Sequence, residues 1–180
     1  SAASDVYKRQ VLNIARNADA KLAVKGKSMV SEEMELNHFL AENGIEALES
    51  DLGEYIIQVD HELPSHIIMP AIHKNREEIS EVFQKKVAPA KKSDTAEEMT
   101  ETSRQVLRDK FRRAELGISG VNFAVAETGT LCLVENEGNG RFCTTMPRVH
   151  IALMGIEKVV GKLEDLPPLL TVLTLSLIHI

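Results

Sequence analysis

The sequence predicts an α/β domain in which a mostly parallel sheet is flanked by helices. Three observations predict it. Short apolar runs alternate with amphipathic segments through the first half of the chain. Branched apolar runs cluster in the second half, at Val121–Ala126, Thr130–Val134 and Val149–Met154, separated by turn signals at Thr128-Gly129 and Glu137–Gly140. And 43% of the 180 residues are apolar, enough to bury one core.

Taken in order, Lys21–Lys25 is a short apolar run closed by Gly26 and reads as a strand. Ser28 and Ser31 are both candidate N-caps for the next helix. Glu32 and Glu33 sit in its first turn, Met34, Phe39 and Leu40 form its apolar side, and Gly44 is a natural stop. Ile45–Glu49 reads as a second strand. Leu52–Val59 fits a buried helical turn or a strand, and periodicity does not decide. Ser65–Met69, closed by Pro70, is a third strand candidate. Asn75–Glu78 opens a helix with Ile79, Val82, Phe83 and Val87 on one face, and Ala88–Ser93 is a loop. Thr95–Glu98 is a capping box for a long helix that buries Met99, Val106, Leu107, Phe111 and Ala114 and is stopped by Gly117. Lys110, Arg112 and Arg113 in its last turn suit the helix dipole. The strand cluster follows, with a hairpin near Thr128-Gly129.

The two extremities, SAASDVYKRQ and LSLIHI, resemble translated sequencing-adapter read-through. Residues 1–10 and 175–180 are therefore set apart from the domain, 11–174, which makes the chain an internal piece of a longer protein. The other reading is a polar N-terminal arm and a C-terminal strand. Ser1–Gln10 has no apolar segment of the signal-peptide kind, so a cytoplasmic location is expected. Leu166–Ile180 is interrupted by Pro167 and Pro168 and is too short to span a bilayer, so no transmembrane segment is expected.

Composition narrows the function. Lys and Arg total 21 against 27 Asp and Glu, a net charge of −6, and only 4% of residues are aromatic. Neither suits a phosphate-backbone binder or a stacking platform, so nucleic acid is not an expected partner. Two cysteines make neither a disulfide framework nor the four-thiolate set of an iron–sulfur cluster.

Gly26-Lys27-Ser28 invites comparison with a phosphate-binding P-loop, but Lys21 stands where that motif needs its first glycine. Lys27 and Ser28 still lie between a strand end and a helix start, where an anion is well tolerated. The bland alternative is an ordinary loop with a capping Ser. His61, His66 and His73, near Asp51 and Glu54, invite a metal-set reading, but the histidine spacings do not place them on one helix face and no HExxH run occurs, so no metal site is expected. Glu127, beside Thr128 and Gly129 at a strand end, is the candidate catalytic carboxylate; the alternative there is a plain tight turn. In Glu135–Arg141, Asn136, Asn139 and Arg141 crowd a glycine loop, and Arg141 suits a carboxylate or phosphate. A solvated hairpin loop is the alternative. Cys132 reads as core and Cys143 as accessible.

The runs VKGKSMVSEEMELNHFLAENGIEALESDLGEYIIQ, PSHIIMPAIHKNREEISEVF and GISGVNFAVAETGTLCLVENEGNGRFCTTMPRVHIALMGIEKVV resemble the N-terminal LUD (lactate-utilisation) domain of the bacterial lactate-utilisation iron–sulfur proteins of the B type. The resemblance covers about Val11 to Thr174. It implies a fold similar to the sugar-phosphate isomerases and CoA transferases. It also implies a role in oxidising L-lactate to pyruvate and passing electrons on, with the other two subunits of the system as partners. The family's [4Fe–4S] clusters belong to a ferredoxin-like domain that follows this one, so no cofactor is expected within this fragment, which alone should turn nothing over. The resemblance assigns no catalytic residue. The candidates Glu127, Lys27, Ser28, Thr128, Gly129, Asn136, Asn139 and Arg141 rest on loop chemistry alone, with a small carboxylate or other anion as the ligand. Two alternatives stand beside it: a non-catalytic anion-binding or subunit-docking domain, and an isomerase or transferase-like enzyme with Glu127 as base or nucleophile.

Overall fold

The structure is a computed structural model that describes residues 2–66, 69–89, 95–135 and 137–178. Helix α1 (Ala2–Asn17) leads into strand β1 (Leu22–Lys25). Two short helices follow, α2 (Met29–Glu33) and α3 (Leu36–Glu42), then β2 (Glu46–Glu49) and α4 (Leu52–Asp60). Helix α5 (Arg76–Val82) runs on as a wider π-turn over Phe83–Val87, and the long helix α6 (Ala96–Arg113) returns to the sheet. Then come β3 (Leu116–Gly120), β4 (Phe123–Val125), β5 (Thr130–Cys132), α7 (Asn139–Thr145), β6 (Val149–Leu153), β7 (Val159–Val160) and α8 (Leu166–Ile178).

The main sheet has the order β2-β1-β3-β6, and all three pairings are parallel. A smaller sheet, β5-β4-β7, joins an antiparallel hairpin to a parallel pair. The fold is thus α/β with a mostly parallel, helix-flanked sheet.

Side-chain alternation along the strands feeds two cores. Ala23, Ala47, Leu116, Ile118 and Ile151 pack under α1 and α3 against Val11, Leu12, Ala15, Leu36 and Leu40. Leu22, Val24 and Leu48 face the other way and meet Tyr55, Phe111, Ala114 and Cys143 of the opposite helical layer. Leu36 and Leu40 are fully buried, each contributing roughly 1.5–3 kcal/mol of burial. A third cluster joins Ile56, Phe83 and Met99.

Local chemistry explains most element limits. Asn75 with Glu78, and Thr95 with Glu98, form reciprocal capping boxes. Asp51 caps α4, which settles Leu52–Val59 as helix. The hairpin turn carries Gly129 at φ +69°. Several expectations are corrected. The single helix predicted after Ser28 is two, broken where Glu35 adopts a left-handed backbone at φ 51°. Ser28, not Ser31, is its cap. Ser65 and His66 form a bend, not a strand; residues 67 and 68 lie outside the described set. Gly117 does not stop α6, which ends at Arg113; it lies within β3, where a Cβ would collide with the Cys143 carbonyl oxygen. The missing side chain lets α7 lie directly on the strand.

Residues 2–10 form the first part of α1, and among its described side chains burial begins at Val11. Helix α8 carries Pro167 and Pro168 in its first turn, where their missing N–H groups break no helical bond. No helix among the described residues is long and apolar enough to cross a membrane.

Candidate functional site

Parallel sheets of this kind collect ligands at the carboxyl ends of their strands. Here β1, β3 and β6 end in a cleft of about 380 Å³. Its walls are the 26–30 turn after β1, Asp51 beyond β2, the 119–122 turn after β3, the 133–135 segment, and the stretch after β6 from Leu153 to Lys158.

Beneath the cleft lies a buried polar layer. Lys25 and Glu49 are register partners at the ends of β1 and β2. Their side chains pair at 2.9 Å, both almost fully buried. Lys25 Nζ also donates to Ser31 Oγ at 3.0 Å, and Asn37 Nδ2 donates to Glu49 Oε1 at 2.6 Å. Ser50 Oγ donates to the Lys25 carbonyl at 2.8 Å and lies 3.4 Å from Cys143 Sγ. This network fixes the strand ends; its removal piecemeal would strand a charge in the interior.

Above it, Lys27 reaches from the cleft wall to Glu54 Oε1 at 2.5 Å. Glu54 is buried, and its Oε2 has no hydrogen-bond partner among the described residues. Burial, aided by the negative charge of neighbouring Asp51, pushes its carboxyl up to about 7 despite the opposing pull of Lys27. Asp51 accepts from the Gly53 and Glu54 amides as the cap of α4. Ser28 closes against Gly120, where a Cβ would come within 3.3 Å of the Ser28 side chain. Ser119 Oγ and His150 Nε2 lie 2.8 Å apart, and burial holds His150 below the usual imidazole range. Lys158, half-buried, lines the cleft and has no carboxylate within ion-pair distance among the described residues.

The candidate residues named from sequence divide. Lys27, Ser28 and Asn139 line the cleft. Glu127, Thr128 and Gly129 do not: they form the exposed tip of the β4–β5 hairpin. There the Glu127 carboxylate accepts from the Leu163 amide at 3.4 Å and Thr128 Oγ1 donates to Thr130 Oγ1 at 2.8 Å. Asn136 lies outside the described residues. Arg141 is not in a loop but in α7, exposed and paired with Glu135 at 3.4 Å in a shallow depression beside the cleft. Lys158 and Ser119 have no counterpart in the sequence reading, and Asp51 and Glu54 enter it only as neighbours of the histidines. Asp51 alone had a local signal, as the polar residue before an apolar helix.

Neither cysteine has the environment expected of it. Cys143 is fully buried against β3, and burial pushes its thiol up to about 11. Cys132 is half-buried in β5. His73 is held between Ser65 Oγ at 2.7 Å and Glu62 Oε2 at 2.8 Å, a link between the end of α4 and the turn before α5. Among the described residues, no three His, Cys, Asp or Glu side chains converge as a metal site would require.

Comparison with known proteins places the chain. The LUD domain family model matches residues 4–177. "Lactate utilization protein B" of Bacillus thuringiensis (strain Al Hakam) is 51% identical over 168 residues, 93% of this chain and 35% of that protein. "Lactate utilization protein B" of Bacillus cereus (strain B4264) matches to the same extent. "Uncharacterized electron transport protein YkgF" of Escherichia coli (strain K12) is 48% identical over the same span. The chain thus spans about a third of the length of the curated relatives it matches. No solved structure matches it. With a family model covering nearly all of its length, and a parallel sheet whose strand ends open on a lysine-lined cleft, the chain belongs to the LUD-domain family.

Proposed function

We propose that this chain is the LUD part of an iron–sulfur protein in a bacterial, cytoplasmic system that oxidises L-lactate to pyruvate, and that its cleft receives a small carboxylate. The observation that carries the proposal is Lys158. It places an ammonium on the wall of the cleft with no carboxylate in reach among the described residues, in the same cavity as Lys27, whose charge Glu54 only partly offsets. A carboxylate ligand completes that arrangement through charge-assisted hydrogen bonds. The substrate class comes from the names of the relatives.

The chain's own thiols do not fit a [4Fe–4S] cluster. Cys132 lies in β5 and Cys143 in α7, and Cys143 is held as a buried neutral thiol, the opposite of the thiolate that ligates iron. On this reading the clusters of the whole protein lie outside this domain. This domain binds the carboxylate and contacts the two partner subunits. Titration calorimetry with lactate and pyruvate tests the site: binding lost in Lys158→Ala supports it, and equal heats for both proteins would remove it. The full-length gene product should show the brown absorbance of clusters.

Docking without substrate binding is the second reading. It is favoured by exposed apolar side chains at Leu131, Val134, Met154 and Ile156 around the smaller sheet and the strand ends. Retention of partner subunits by a Lys158→Ala protein that binds no carboxylate would separate the two roles. An isomerase or transferase reaction with Glu127 as base has less support, because Glu127 does not line the cleft. Assays of Glu127→Gln protein decide it.

A further inference from the structure

A second cavity, of about 420 Å³, lies between α6 and α7. Asn139 lines both it and the strand-end cleft, so one side chain forms part of the wall between them. We infer that this groove is a binding site for a nucleoside diphosphate.

The cationic side of the groove comes from α6. Arg104, Arg108 and Arg112 recur at every fourth position, so they stand in one row along the helix and all three line the groove. The row spans about 12 Å at the α-helical rise. Like charges at this spacing repel, so the row costs stability unless an anion lies along it. Intramolecular neutralisation is partial. Glu101 pairs with Arg104 at 2.6 Å and lies near Arg108. Arg112 has no carboxylate within ion-pair distance among the described residues. Guanidinium groups match phosphate oxygens in a bidentate way.

Beside the cationic row runs an uncharged one that ends in two apolar side chains. Ser103, Leu107 and Phe111 form the neighbouring i, i+4, i+8 line of α6 and also face the groove. Across from them, Phe142 of α7 packs on Phe111 with ring centroids 5.3 Å apart, tilted by 54°. Phe142 is half exposed, so one side of the pair stays open to a flat ring. At the α7 end Glu137 adds a carboxylate, which accepts from a sugar hydroxyl or an exocyclic amine. Three guanidinium groups, an open aromatic face and one acceptor carboxylate match, in turn, a diphosphate, a base and a ribose. The volume suits a ligand of that size.

The test is titration of the 180-residue chain with ADP, adenosine and pyrophosphate as separate probes. ADP should bind at least tenfold more tightly than either fragment alone. Arg108→Ala combined with Arg112→Ala should lose at least tenfold in ADP affinity, and Phe142→Ala several-fold, with far-ultraviolet circular dichroism unchanged. All three positions are exposed, so the variants should fold. Pyrophosphate binding as tight as ADP would overturn the inference by showing a plain anion patch. ADP affinity that survives either the arginine pair or Phe142→Ala would overturn it equally. Lactate titration of the same preparations reports on the strand-end cleft separately.

Discussion

Lys27 Nζ rests 2.5 Å from Glu54 Oε1, and the second carboxylate oxygen of Glu54 is buried without a hydrogen-bond partner among the described residues. One ion pair therefore joins a cleft-facing cation to a carboxyl that burial holds at about 7. A carboxyl raised in the folded state binds its proton more tightly there than in the unfolded chain. Its stabilising effect is fully present below the ordinary carboxyl range, around 4.5, and is lost as pH rises through about 7. The melting temperature of the wild type should therefore fall between pH 5 and pH 7.5 relative to Glu54→Gln, which lacks the titration. Parallel pH profiles for the two proteins would contradict this.

The same pair should tune the cleft. Below pH 7 the protonated Glu54 no longer offsets Lys27, so carboxylate affinity should rise as pH falls toward 5. Glu54→Gln should remove that rise, and Lys158→Ala should weaken pyruvate binding about tenfold or more, the worth of one charge-assisted hydrogen bond. Calorimetry at pH 5.5 and pH 8 measures both effects.

Gly117→Ala should destabilise the domain by about 2–3 kcal/mol, because the new methyl group meets the backbone oxygen of Cys143 and α7 has to move off β3. Gly44→Ala is the comparison. Nothing lies within 4 Å of a Cβ at Gly44, so its cost arises from the left-handed backbone alone. Urea denaturation should rank Gly117→Ala as the more damaging of the two.

Lys25→Ala should cost about 3–5 kcal/mol, since it leaves Glu49 ionised in the interior. Replacing both, as Lys25→Met with Glu49→Leu, should recover much of that loss. A double variant as unstable as the single one would show that the rest of the layer, through Asn37 and Ser31, matters more than the pair.

Iodoacetamide at pH 8 should modify Cys132 well before Cys143. Cys143 is fully buried and its thiol stays protonated at that pH. Mass spectrometry of the labelled peptides reads the order directly, and both sites should react together once urea unfolds the chain.

Much of the fold was legible from short-range chemistry. The Asn75 and Thr95 capping boxes, the β1 run and the Thr128-Gly129 hairpin each need only a few neighbouring residues to declare themselves. What escaped depends on contacts between distant segments. Gly117 looks like a helix stop until the carbonyl of Cys143 is placed against it. Arg141 looks like a loop anchor until the helix starting at Asn139 turns it toward Glu135. Lys158 carries no local signal at all; it matters because β6 delivers the following turn to the ends of β1 and β3.

The strand order has a consequence for how the protein is made. β1 sits between β2 and β3, and its Ala23 pairs with Leu116, about half the chain away. At ribosomal speed about 5–20 s pass between the emergence of the two partners. Throughout that interval β1 and β2 can form only a two-stranded parallel ribbon, open at both edges to a wrong neighbour. Until β3 leaves the exit tunnel, the edge of β1 that it covers in the folded domain stays open.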